Sequence, residues 1–457
     1  MVQDMKESPQ SGGVVTADAS AVPRIGAPAG VARIARKVGS LFVTLILVVV
    51  LTGSFAVSAR LAHVAFGRHD VSAAVGQQLT WLEGQTSSDA PDRMQKKHRD
   101  GAFLQLVLTG MAAAHDESRP AAVRLPLLRA YLYRVEHEEI KQRYVAAALP
   151  ENGAFYQGWT LLLATQVARL SGEEADAKVV REKASPLVNA LTMSPSGLLA
   201  SYPNVYRPVD SVVVAGALRR ADEIVGVPGV TEALATWVPR LEPLRDPSTK
   251  LLPHVTDATG RSIEGPRATS QAIIQIFWPS IDPATSSRDW VAFENTFLCP
   301  RLGLVAVCEF PGGWWGVSDA DSGPLIVGVS PLATVMTMAA ARAHGNEELA
   351  VQISRETALF EVLSSEKGEK KHYNSDSWPL SDAVIVASRA VPVSRELPGV
   401  DDRDPVAWKA WVLCALIPGV IAAGALAWRV MGRRRRLSGP LEHDAAPPDA
   451  PSSKRWS

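Results

Sequence analysis

Ser330-Pro-Leu-Ala-Thr-Val-Met-Thr-Met-Ala-Ala-Ala-Arg-Ala-His344, followed at once by the charged, one-faced stretch 346–363, is the building unit of this chain. A helix that is apolar most of the way round must be buried, whereas a helix with one apolar face belongs at a surface. Small-residue-rich apolar segments with a polar, Pro- or Gly-bearing approach recur at 103–115, 156–170, 210–221, 267–277, 330–344 and 378–390. More charged amphipathic stretches lie between them at 120–138, 173–191 and 231–244. The starts fall about 50–60 residues apart, longer than tetratricopeptide or HEAT repeats. Alternating inner and outer helices predict an all-α fold, an (α/α)6 toroid over residues 60–405. An open helical solenoid is the competing arrangement.

Two apolar runs flank this region. Residues 38–59 carry no charge and are long enough to cross a hydrocarbon core of roughly 30 Å at about 1.5 Å per residue. Residues 408–430 form the second, with Trp408, Trp411 and Trp428 placed as an interfacial aromatic belt and Lys409 and Arg429 at its ends. Val57-Ser58-Ala59 also fits a signal-peptide cleavage site, but the run exceeds an ordinary signal core and follows a long polar N-terminus. Arg33, Arg36 and Lys37 before the first run, and Arg433 to Arg436 after the second, predict cytoplasmic termini and an extracytoplasmic main domain at the inner membrane. Residues 1–37 and 431–457 read as disordered cytoplasmic tails, the second of them basic.

The 457 residues balance 47 Lys and Arg against 47 Asp and Glu, which argues against nucleic acid as a partner. No phosphate-binding glycine loop, nucleophile elbow or zinc motif is present, so neither a metal site nor hydrolysis by a serine triad is expected.

In a toroid the loops leading into the inner helices converge on one mouth, and chemistry is to be sought there. The densest is Cys299-Pro-Arg-Leu-Gly-Leu-Val-Ala-Val-Cys308-Glu-Phe-Pro-Gly-Gly-Trp314-Trp315-Gly-Val-Ser-Asp319-Ala-Asp321. Outside the cytoplasm two such cysteines make a structural disulfide or, if reduced, offer a proton donor. Asp319 and Asp321 suit three roles: capping a helix at 325–329, serving as a general acid, or pairing with Glu151 or Asp382 for glycoside cleavage. Arg267 either clamps an anionic group or pairs with a nearby aspartate. Trp159, Trp314 and Trp315 are core residues or sugar platforms, with Trp314-Trp315 placed for exposure at the mouth.

The Cys299-x8-Cys308 spacing, His254 in Leu-Pro-His-Val, and Glu151-Asn-Gly-Ala-Phe-Tyr156-Gln-Gly together resemble the linalool dehydratase/isomerase family. The resemblance covers about residues 145–345. It implies a cofactor-free helical toroid acting outside the cytoplasm on allylic alcohols. It further implies that Cys299 and Cys308 stand at the family's cysteine pair, His254 at its histidine, Tyr156 at a tyrosine, and Glu151 where the family has aspartate. That Asp-to-Glu change and the membrane anchors depart from the family pattern.

Three functions follow as expectations: a cofactor-free hydro-lyase or isomerase on a small apolar alcohol, a glycoside hydrolase or polysaccharide lyase on envelope glycan, and a non-catalytic envelope binding protein. The lipid bilayer is the remaining expected partner.

Overall fold

The computed structural model describes residues 29–66, 71–144, 150–313, 316–319, 322–359, 366–367, 370–373, 378–394 and 410–437. They fall into two compact units, one formed by Ala56–Ala415 and one by the described parts of Met1–Phe55 and Leu416–Ser457. Sixteen α-helices, α1 to α16, are named here among the described residues.

The larger unit is built from twelve long helices that alternate in kind. The inner ones are α4 (Gly101–His115), α7 (Gly153–Ser171), α9 (Pro208–Val225), α11 (Ala268–Ile281), α13 (Pro331–Ala343) and α15 (Pro379–Ala390). The outer ones are α2 (Val71–Thr86), α5 (Ala121–Glu136), α8 (Glu174–Met193), α10 (Val230–Leu241), α12 (Pro283–Phe297) and α14 (Glu347–Leu359). Short helices α3 (Ala90–Lys97) and α6 (Glu138–Lys141) fill connections. Each inner helix packs on the next in the order α4, α7, α9, α11, α13, α15, and α15 packs back on α4. The ring is therefore closed. An open solenoid would leave the first and last inner helices apart.

Small residues let the inner helices approach. A Cβ on Gly158 of α7 would lie 3.1 Å from the Val213 and Val214 side chains of α9. One on Gly216 of α9 would lie 2.6 Å from the Phe277 ring of α11. The core divides into two clusters. The larger runs through α2, α4, α5 and α7 to α10, and the smaller joins α11 to α14 with Leu251 and Val307. Strands are confined to two hairpins, β1–β2 (Val255–Thr256 with Ser262–Glu264) and β3–β4 (Glu366–Lys367 with Lys370–Lys371).

Ring closure has a polar lock. Arg389 on α15 is 1% exposed and donates to Gln78 on α2 (2.8 Å), to the Tyr373 hydroxyl (2.6 Å) and to Ser354 on α14 (3.2 Å). The carboxylate of Asp382, fully buried, accepts from the Tyr373 backbone N–H (2.7 Å) and from Gln78 (3.5 Å).

Two helices, α1 (Ala29–Phe66) and α16 (Trp411–Leu437), are long and apolar enough to cross a membrane over Arg33–Phe66 and Trp411–Arg433. Residues 29–37 and 431–437, expected as disordered tail, are helical and extend both; positively charged side chains there favour helix as readily as coil. Residues 1–28 and 438–457 lie outside the described residues. In the smaller unit the Gly419 N–H reaches the Ser54 hydroxyl (3.1 Å), and Arg429 donates to the Ser40 hydroxyl (2.7 Å). A glycine at the point of closest approach is the usual way for apolar helices to pack.

Candidate active site

The stretch with two cysteines folds as a stapled hairpin. Cys299 and Cys308 are disulfide-bonded, and the Cys299 N–H donates to the Ala306 carbonyl (2.8 Å) while the Cys308 N–H donates to Phe297 (2.9 Å). Neither sulfur is a thiol, so the role of Cys299 and Cys308 as proton donors is withdrawn. An apolar run closed on itself in two strands brings its end residues into register, which is what cross-linking requires.

The hairpin delivers the next residue, Glu309, to the N-terminus of α11. The Ala268 N–H donates to the Glu309 carbonyl (2.9 Å), and the Glu309 N–H donates to Gly328 (3.0 Å). One oxygen of its carboxyl accepts from the Thr269 hydroxyl (2.7 Å), the Ser330 hydroxyl also favours its charged form, and both oxygens are buried. At 1% exposure the charged form is poorly solvated. Burial pushes the carboxyl up to about 7, against the Thr269 hydrogen bond and the Arg267 charge and with help from the negative Asp319.

Arg267 stands at the N-cap position of α11 and forms ion pairs with Glu264 and Asp319, its guanidinium lying 5.0 Å from the centre of the Phe310 ring. The pairing with a nearby aspartate is thus present at Arg267. Asp319 accepts the Ser322 N–H (2.8 Å). Burial opposes its charge, but Ser322, Arg267 and His254 outweigh that and hold the carboxyl below its ordinary range. Residues 325–329, expected as a capped helix, form instead a tight turn with Ile326 and Val329 bridged; two glycines nearby, Gly323 and Gly328, take left-handed backbone that breaks a helix.

His254 completes the group. Its backbone N–H donates to Glu264 (3.0 Å), and its ring Nδ1 lies 2.5 Å from the Ser270 hydroxyl on α11. It is 3% exposed. His254, Arg267, Ser270, Glu309 and Asp319 thus collect around the start of one inner helix.

The other expected residues lie elsewhere. Tyr156 is buried in the first turn of α7 against Phe103 and Tyr144, its hydroxyl donating to the Val135 carbonyl (3.2 Å), and burial raises its ionisation above the ordinary tyrosine range. Glu151 is exposed, and its carbonyl accepts from Gln157 (2.8 Å). Trp159 is a core residue, edge-on to Phe277 at 5.9 Å. Asp382 belongs to the closure lock. Trp314, Trp315 and Asp321 lie outside the described residues. A second polar group on the rim is structural in form: Asp100 accepts from the hydroxyls of Tyr144 (2.9 Å) and Tyr202 (3.0 Å), and both phenols are pushed up by burial and by that carboxylate.

Glu309 is the residue that motif reading misses. Its only mark in the sequence is a lone carboxylate between an apolar run and Phe310-Pro311. No group of three or more His, Cys, Asp or Glu able to hold a metal occurs among the described residues.

Separating the hairpin strands should loosen the anchorage of Glu309. Closing a loop of this length is worth about 2–3 kcal/mol. Replacing both cysteines by serine is expected to lower stability by about that amount, read from denaturant midpoints of the full-length protein, and an oxidised wild type treated with reductant should follow the same shift. Equal midpoints would remove the hairpin from the structural argument.

No protein-family model matches the sequence, and no curated protein matches it. Among solved structures the chain is similar to cellobiose 2-epimerase from Bacillus thermoamylovorans B4167, at 11% identity and a TM-score of 0.41, over 63% of this chain and 87% of that one.

Proposed function

We propose that the chain is a membrane-anchored acid–base enzyme that cleaves envelope glycan outside the cytoplasm, with Glu309 as proton donor and Asp319 as the ionised partner. One observation carries the reading. Two carboxyls share a site in which burial holds one near neutrality while hydrogen bonds and Arg267 keep the other charged. Environments that push paired carboxyls apart divide them into acid and base. Glycoside cleavage needs that division: one carboxyl protonates the leaving oxygen, and the other supports positive charge at the sugar carbon or activates water. Arg267 and Ser322 orient Asp319, and Thr269 orients Glu309, so neither must reorganise as the bond breaks.

Two apolar helices at the ends of the described chain support the anchored placement, and the disulfide suits an oxidising compartment. A second reading retains the lyase/isomerase chemistry without thiols. Glu309 would protonate a leaving hydroxyl, and His254, fixed by Ser270, would accept a proton from carbon.

Products separate the two. The full-length protein in detergent, incubated with oligosaccharides from envelope glycan, is expected to release new reducing ends. Products lighter by one water without new reducing ends would favour elimination. Absence of both would overturn the reading.

A further inference from the structure

The hairpin that carries Glu309 at its base has a tip of another character. Leu302 at that tip is 72% exposed, and on the adjoining turn Ile326 and Val327 are 59% and 53% exposed. The two turns are joined: Cys308 bridges Val329, and the Glu309 N–H donates to Gly328. Leu302 and Val327 also have left-handed backbone, with φ of 54° and 52°. That conformation disfavours side chains with a Cβ, and a β-branched one most of all. Scattered exposed apolar residues need no explanation, but two strained turns presenting three of them beside an acid–base site do.

What lies against the tip identifies the surroundings. Leu304, on the same hairpin, and Val412 both pack against the cluster of Val64, Ala65 and Ala358, and the Trp411 indole N–H donates to the Leu302 carbonyl. Val64 and Ala65 are near the end of one candidate span, and Trp411 and Val412 begin the other. A tryptophan at the end of an apolar span marks the height of the lipid headgroups. If the two helices cross a membrane, Trp411 brings the hairpin tip to that height, where Leu302 is exposed.

We propose that the substrate of the Glu309–Asp319 site is an amphiphile, a hydroxyl-bearing headgroup carried on a membrane lipid, taken from a bilayer surface on which Leu302, Ile326 and Val327 rest. The proposal rests on the acid–base reading of that site and adds the source and class of its substrate. The polar head reaches Glu309 and Asp319. The apolar chain stays against the two turns and the lipid.

Two measurements test it. In the full-length Cys414→Ser protein, a nitroxide is placed at Ile326→Cys or at Glu174→Cys. The second lies at the opposite rim, where α7 turns into α8, and its side chain is 82% exposed. In phosphatidylethanolamine/phosphatidylglycerol vesicles the Ile326 label should be relaxed by dissolved oxygen and shielded from a water-soluble relaxant. The Glu174 label should show the reverse. An Ile326 label as aqueous as Glu174 overturns the proposal, and so does shielding that grows with protein-to-lipid ratio, which would mean contact with a second protein. For the second measurement, the oligosaccharide of the turnover assay is offered free or carrying a long alkyl chain. The alkylated form should show a KM about tenfold lower, an advantage lost in Ile326→Asp. Equal KM values overturn the proposal. If Glu309→Gln leaves turnover of the free oligosaccharide unchanged, the acid–base reading fails, whereas the label depths report on the lipid surface alone.

Discussion

Replacing Glu309 by glutamine is expected to lower kcat by about 10²–10⁴-fold, the usual worth of a positioned general acid, with KM little changed. Glutamine keeps the shape and the Thr269 contact and removes only the transferable proton. In the wild type, activity should fall as pH rises through about 7, because only the protonated carboxyl donates and burial places its midpoint there. Glu309→Asp should retain some activity; full activity in Glu309→Gln would remove this residue from the chemistry.

The same carboxyl sets a stability trend of definite sign. Its value in the folded chain lies above the ordinary 4.5, so the folded chain binds the proton more tightly than the unfolded one. That contribution is complete below about 4.5 and is lost as pH rises through about 7. Glu356, pushed up to about 7 by burial on α14 against hydrogen bonds from Val305 and Gln352, acts in the same direction. Urea midpoints should therefore fall between about pH 5 and about pH 8, and the Glu309→Gln/Glu356→Gln double variant should flatten much of that slope.

Arg389→Met is expected to destabilise the fold by about 3–5 kcal/mol, because it removes buried hydrogen bonds from a charged donor, each worth about 1.5–3 kcal/mol. Arg389 is the cation of the network that reaches Asp382 through Gln78, and Asp382 is fully buried. Methionine fills the volume but cannot donate to Gln78, Tyr373 or Ser354. Adding Asp382→Asn should recover whatever part of the loss comes from the carboxylate charge in the same network. A double variant no more stable than Arg389→Met would show that the donor contacts, and not the charge, dominate.

The ring was written plainly in the sequence because burial on all sides leaves a compositional trace. The stretches 103–115 and 378–390 match Gly101–His115 and Pro379–Ala390 closely. Outer helices α2 and α12 are harder to read. The sequence of α12, rich in Ser, Thr, Asp and Asn, buries a stripe of Trp290, Phe293 and Phe297 that only its partners reveal. The site was legible in part. Arg267, His254 and Asp319 lie together as residues of neighbouring loops, whereas Tyr156 and Asp382 stand at similar positions on their own helices and turn into the core. Position along a helix predicts the rim, not the direction of a side chain. Glu309 acquires its character from desolvation, which no local pattern encodes.

The stapled hairpin also bears on when the protein becomes competent. On the proposed reading, a chain still in the reducing cytoplasm has two free thiols and a hairpin without its cross-link, so the segment that seats Glu309 between Ala268 and Gly328 is held only by its hydrogen bonds and by the packing of Val307. On that reading, export and oxidation finish what folding begins. On the proposed reading, maturation and arrival at the glycan are then one event, and newly made copies stay latent among the cytoplasmic precursors they would otherwise consume.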